Sequence, residues 1–186
     1  MPLNWAAELS TQLDWHWTNQ LRPRLDGLTD EEYFWEPVPG CWSVRPVGGG
    51  KFMADFQFPE PTPPPVTTIA WRLSHIAGPI LAWRNAKHFG GPSFDIQTFD
   101  WPGSARAALD LVDEGYAHWR TGVASLDADA LARDVGTVEP WPAPMAALVL
   151  HINREVIHHG AEVALLRDLY RASNRGRTFV PVITSV

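Results

Sequence analysis

Apolar residues along the chain recur mostly at steps of three and four. Near the start, Leu9, Leu13, Trp17 and Leu21 stand four apart, with Trp5 and Leu25 beside the stripe, which predicts a helix from about residue 4 to 27. Pro23 falls inside that run and predicts a kink or an end near Leu21, because it lacks an N–H and its ring crowds the preceding turn. Thr29, with Glu32 three residues on, reads as a capping box for a new helical start. The helical period returns at Ile69, Leu73, Ile76, Ile80 and Trp83, predicting a helix from Thr67 or Thr68 to about Lys87. Leu109, Val112, Tyr116, Trp119 and Val123 predict a third helix over about 104–126, capped by Ser104. "DADALARDV" adds a short turn. A fourth helix opens at Pro142 or Pro144 and runs to about Ser173.

Residues 36–66 break the period. They are dense in Pro and Gly, with short strand patterns at 41–45 and 52–58 that can pair as a hairpin over "GGG". Trp42, Phe52, Phe56 and Phe58 mark a segment that packs onto something, since a disordered linker would not carry them. There is no internal repeat, no sustained heptad and no alternating βα pattern. The expectation is an all-α four-helix bundle, one domain over residues 1–186, with a Pro/Gly-rich insertion between its first two helices that holds a short β-hairpin.

Composition narrows the partners. The formal charge of −6, with no basic run, speaks against nucleic acid. No apolar run reaches the roughly 18–20 residues needed to span a bilayer. The N-terminal stretch lacks the cationic start and apolar core of a secretory signal, and Cys41 has no intrachain partner. These readings lead to the expectation of a cytoplasmic protein without a membrane partner. Ten tryptophans are many for 186 residues and point to a cavity or an interface.

The fourth helix carries the chemistry. Leu148, Ile152, Glu155, His159, Val163 and Leu166 share one face, so a carboxylate and an imidazole interrupt the apolar stripe one turn apart. Burying that carboxylate costs several kcal/mol unless it is paired or binds a cation. His75, near the apolar face of the second helix, offers a third donor. Two imidazoles and a carboxylate suit zinc, with nickel or iron as alternatives, and leave a coordination position open. The competing reading is a plain i,i+4 ion pair between Glu155 and His159. The same spacing at Glu114 and His118 sits among Asp110 and Asp113 and reads as solvated. Arg154 occupies the place where a zinc-protease HExxH motif needs histidine. Glu155 and His158 fit one Glu-x-x-His repeat of a di-iron bundle, without a second.

With "GCWSVRP", "WRLSHIAG" and "NREVIHHGAEVALLRDLY" in view, the chain resembles the DinB-like (YfiT-like) metalloprotein superfamily over nearly its whole length. In that superfamily a Trp-Ser-x-Arg segment precedes a helix bearing the first ligand, and two further ligands lie four residues apart on the last helix. Glu155, where many relatives have histidine, is similar to the mycothiol-dependent maleylpyruvate isomerase branch. The resemblance thus implies His75, Glu155 and His159 as metal ligands. Two features depart from it: about two dozen extra residues before the second helix, and Gly160 where an arginine commonly follows the histidine pair.

The resemblance also implies chemistry on a low-molecular-weight thiol of the mycothiol or bacillithiol type, with an electrophilic second substrate, in a homodimer. Trp42, Arg45 and His158 are then candidates for the pocket wall, and Glu162 for orienting His159. A plain loop-anchoring role for Trp42 and Arg45 stands beside that reading. The other classes that remain are a stress-related metal-binding dimer without turnover, and a metal-dependent hydrolase using water.

Overall fold

The structure, a computed structural model, describes residues 3–175. Residues 1–2 and 176–186, the ends of the span assigned to one domain, lie outside the described residues. Three of the four long helices begin where a short polar side chain accepts a backbone N–H three residues on. Asn4 accepts from Ala7 N, Thr68 from Trp71 N and Ser104 from Ala107 N, each at 3.2 Å.

Helix α1 covers residues 5–25 in three consecutive segments, Trp5–His16, Trp17–Leu21 and Arg22–Leu25. The middle segment is π-helical. Helix α2 is the single turn Asp30–Tyr33, with Thr29 accepting from Glu32 N as the capping box predicts. Strands β1 (Val44–Gly48) and β2 (Lys51–Ala54) form the antiparallel hairpin. Helix α3 covers residues 69–88 as Ile69–His75, a π-helical Ile76–Ala82, and Trp83–His88. Helices α4 (Ala105–Ala124), α5 (Ala128–Ala132) and α6 (Met145–Arg175) complete the chain.

Two boundaries differ from the sequence expectation for physical reasons. Helix α1 does not stop near Leu21. Its π-helical turn ends at Leu21, two residues before Pro23, as that of α3 contains Pro79, and a widened turn accommodates a missing N–H and a proline ring that an α-helical turn would not. The strands sit about three residues away from the 41–45 and 52–58 windows at their outer ends. Gly49 and Gly50 make the turn with φ of 60° and 76°, and that turn pairs Val44 with Ala54 and Pro46 with Phe52. Trp42 instead bridges to the entrance of α3, where its N–H donates to Val66 O and its carbonyl accepts from Thr68 N, both at 2.9 Å.

Helix α1 packs on α4 and α6, and α3 packs on the same two, so α1 and α3 stand across the core from each other. The predicted stripes form that core: Leu9, Leu13, Trp17 and Leu21 meet Leu73, Ile76 and Ile80, and the stripes of α4 and α6 close the other sides. Gly160 of α6 lets the helix approach α1. A Cβ there would lie 2.7 Å from Leu21 Cδ2. Two buried charge networks pin the loops. Arg167 grips Glu32 in a two-point pair, Nε–Oε1 2.7 Å and Nη2–Oε2 2.9 Å. Glu139 accepts from Arg84 (3.3 Å) and lies 2.8 Å from His88 Nε2. No described helix is long and apolar enough to cross a membrane.

Candidate metal centre

On α6 the buried face runs Leu148, Ile152, Val156, His159 and Val163, with Glu155 partly covered beside it. Helix α3 packs against that face and presents His75, half-buried. One ligand atom from each of His75, Glu155 and His159 lies within 4.8 Å of the other two. The three side chains named from the sequence therefore converge, although 80 residues separate the first from the second.

The hydrogen bonding of His159 decides which of its nitrogens faces the cluster. Nδ1 is 2.7 Å from Glu162 Oε2, so Nδ1 carries the proton and donates it to that carboxylate. Arg72 Nη1 also stands 3.3 Å from Nδ1, but both atoms are then donors, and the productive contact of Arg72 is its Nε to Glu162 Oε2 at 2.9 Å. In the neutral ring this leaves the Nε2 lone pair directed at Glu155 Oε2, 3.3 Å away. A lone pair facing a carboxylate oxygen is unfavourable without a cation between them. Two ligands each about 2.0–2.2 Å from a tetrahedral zinc ion stand about 3.3–3.5 Å apart, so this separation fits one.

His75 is set up as a neutral donor. Burial first, then the neighbouring His159, Arg72 and Arg84, push its pKa down to about 3. Trp71 stacks on its ring at 5.0 Å with 9° between planes, and the His159 ring meets it edge-on at 4.8 Å. The other carboxylate oxygen of Glu155 has its own neighbours, His151 Nδ1 at 3.4 Å and Arg154 Nε at 3.6 Å. Burial holds the His151 pKa below its ordinary value. Among the described residues a second convergent group, His158, His159 and Glu162, shares the Glu162 side of the same imidazole.

Beside His75 opens a cavity of about 1040 Å³ between α3, the segment following β2 and the loop before α4. Trp42 lines it, as does His75. Arg45 is not among the lining residues. It pairs with Asp55 (2.8 Å) and Glu36 (3.1 Å) and donates to Cys41 O, which anchors the hairpin. His158 is largely exposed on α6, 3.6 Å from Glu162 Oε1, and also does not line the cavity. The extra residues of the insertion supply one cavity wall through Met53, Phe56 and Phe58.

Arg72, Trp71 and His151 are site residues that the sequence pattern does not single out. A spacing signal exists for two of them: Arg72 lies three residues before His75, and His151 four before Glu155. Trp71 stands four before His75 but reads as core. Helix α4 shows why spacing alone misleads. Glu114 is exposed as expected, whereas His118 is partly buried with Nε2 3.0 Å from Phe89 O, so its ring is occupied by a loop carbonyl.

The family model described as "DinB superfamily" matches residues 12–163, a span that holds His75, Glu155, His159 and Glu162. No curated protein and no solved structure matches the chain.

Proposed function

The chain belongs to the DinB superfamily, and from that membership and the donor geometry we propose a metal-dependent enzyme that uses a low-molecular-weight thiol. In this reading the four long helices are the family's four-helix bundle and form one domain. His75, Glu155 and His159 hold one divalent cation, zinc before nickel or iron. The observation that carries it is the convergence of the three side chains, with His159 held at Nδ1 by Glu162, its Nε2 3.3 Å from Glu155 Oε2, and His75 close by.

A divalent ion bound there supplies Lewis acidity, lowering the pKa of a thiol that binds beside it. The protein's own residues then do three things. Glu155 contributes the single negative charge of the ligand set, which leaves the centre attractive to an anionic sulfur. Glu162, held by Arg72, keeps the His159 ring from turning. The aromatic wall beside His75 excludes water from the attacking sulfur and holds the acceptor. In a transfer, the sulfur–carbon bond forms, the acceptor's bond to its leaving group breaks, and the thiol proton passes to solvent. An isomerisation would return the thiol unchanged.

A homodimer is part of the same proposal. Leu165 and Leu169, one turn apart on α6, are each about half exposed and offer an apolar contact suited to a second copy. Sedimentation reads that state directly. The catalytic reading is tested by titrating metal-loaded protein with mycothiol, bacillithiol and glutathione by calorimetry, and by following the visible spectrum of a cobalt-substituted sample. Binding of at least one thiol with a sulfur-to-cobalt charge-transfer band is expected. Silence with all three leaves only the hydrolytic or the non-catalytic metal-binding role.

A further inference from the structure

The cavity beside His75 has a charge character as well as a size. Four tryptophans line it, Trp42, Trp71, Trp83 and Trp101, together with phenyl rings from the insertion. Its volume of about 1040 Å³ lies at the upper end of the range for small-molecule sites, roughly 300–1,000 Å³. None of the described residues lining it is lysine or arginine, while Asp55 and Glu60 are carboxylates. Asp55 is already neutralised by Arg45 at 2.8 Å and accepts from Ser43 N at 2.9 Å. His75 is the single lining imidazole among them, and its ring is stacked on Trp71 at 5.0 Å.

Two guanidinium groups of α3 that border the lining tryptophans are already engaged. Arg72 packs over Trp71 at 5.1 Å and pairs with Glu162. Arg84 packs over Trp83 at 4.3 Å and pairs with Glu139. Away from a metal held at His75, an anion entering the cavity would lose its hydration and find no lining lysine or arginine among the described residues, a cost of several kcal/mol. Small carboxylates therefore fit this cavity poorly. Flat apolar rings fit well, since they gain both burial and contact with the indole faces.

We infer that the aromatic part of the cavity, away from the proposed metal centre, binds an uncharged aromatic compound of two or more rings and discriminates against carboxylates and sulfonates of the same shape. Its role as the acceptor attacked by the thiol rests on the proposed function; its binding preference does not.

The test uses a matched pair of dyes, N-phenyl-1-naphthylamine and 8-anilino-1-naphthalenesulfonate, which differ by one sulfonate. Full-length protein treated with a chelator is titrated with each, reading energy transfer from tryptophan to dye. The neutral dye is expected to bind at least about tenfold more tightly, a difference of about 1.4 kcal/mol. Gln97 lines the cavity and is exposed, so Gln97→Arg places a cation there without disturbing the core. That variant is expected to raise affinity for the sulfonate about tenfold and leave the neutral dye within about threefold. Equal affinities in the wild type, or a preference for the sulfonate, overturn the inference. So does a Gln97→Arg protein whose preference is unchanged. Neither metal nor thiol is present in this measurement, so failure of the thiol reading leaves the dye result standing, and the reverse also holds.

Discussion

Glu162 holds His159 by its outer nitrogen, Oε2 to Nδ1 at 2.7 Å, from one turn further along the same helix. Arg72, reaching from α3, fixes the carboxylate in turn at 2.9 Å. A ring held this way offers Nε2 to the cluster at no further orientational cost. Glu162→Ala is expected to weaken metal binding by about 10–100-fold while a full equivalent still binds at saturation. Competition against a chromophoric chelator measures this, and an unchanged affinity would remove Glu162 from its orienting role.

The proposed ligand set makes a stronger demand. His75→Ala and Glu155→Ala each delete a donor from the converging group, so metal content after purification should fall close to background. The loss should exceed the roughly 10–100-fold expected for an orienting residue. Elemental analysis beside the wild type decides it, with circular dichroism as the control for folding. Full metal content in either variant excludes that residue as a ligand.

Packing at Gly160 is the third test. Alanine is the better helix former by about 1 kcal/mol, so an exposed Gly→Ala change in a helix would stabilise. Here the added methyl lies 2.7 Å from buried Leu21, and overpacking of that kind costs about 1–3 kcal/mol. Net destabilisation of about 1 kcal/mol is expected from denaturant melts. In a Leu21→Ala background the same change should become stabilising. Stabilisation in the wild-type background would show that the two helices can part without cost.

Alkaline stability should depend on Tyr33. The phenol is fully buried, its hydroxyl donating to Pro102 O at 2.8 Å. Burial first, with the nearby Asp30 adding to it, raises its pKa well above 10. Above pH 10 the unfolded chain releases this proton and the folded one keeps it, so the native state binds more protons and stability falls as pH rises. The loss from this one group should reach about 1.4 kcal/mol by pH 11 and should vanish in Tyr33→Phe. Urea unfolding midpoints of the two proteins from pH 8 to 11 measure it. Parallel curves would mean that Tyr33 ionises in the folded state without penalty.

Part of the site is legible in the order of residues alone. A helix has a fixed 3.6-residue repeat, so Leu148, Ile152, Glu155, His159 and Val163 must share a side, and the two polar members stand out because their neighbours are apolar. The same repeat sends His158 about 100° away, and it is exposed. The limits of such reasoning show at His118. There the local pattern reads as solvated, but the loop carrying Phe89 folds back and supplies a carbonyl at 3.0 Å, a contact that no window around residue 118 contains. Pro23 and Pro79 mark a different limit. The first reads as a break and the second leaves the apolar period intact, because propensity describes α-helical turns and the chain uses π-helical ones there.

By itself, the sequence determined the helical stripes, three of the caps, the lack of any basic run, and the pairing of Glu155 with His159 on one side of one helix. These are local properties, set by side-chain spacing and by which groups can satisfy a backbone N–H. Only the tertiary structure decided that His75 approaches that pair, that Arg72 steadies Glu162, that Arg45 is spent on the hairpin, and that the insertion walls a cavity without a lining lysine or arginine among the described residues. Most of those relationships join segments tens of residues apart. They depend on how closely whole helices and loops approach, a quantity set by packing across the core at places such as Gly160 and Leu21.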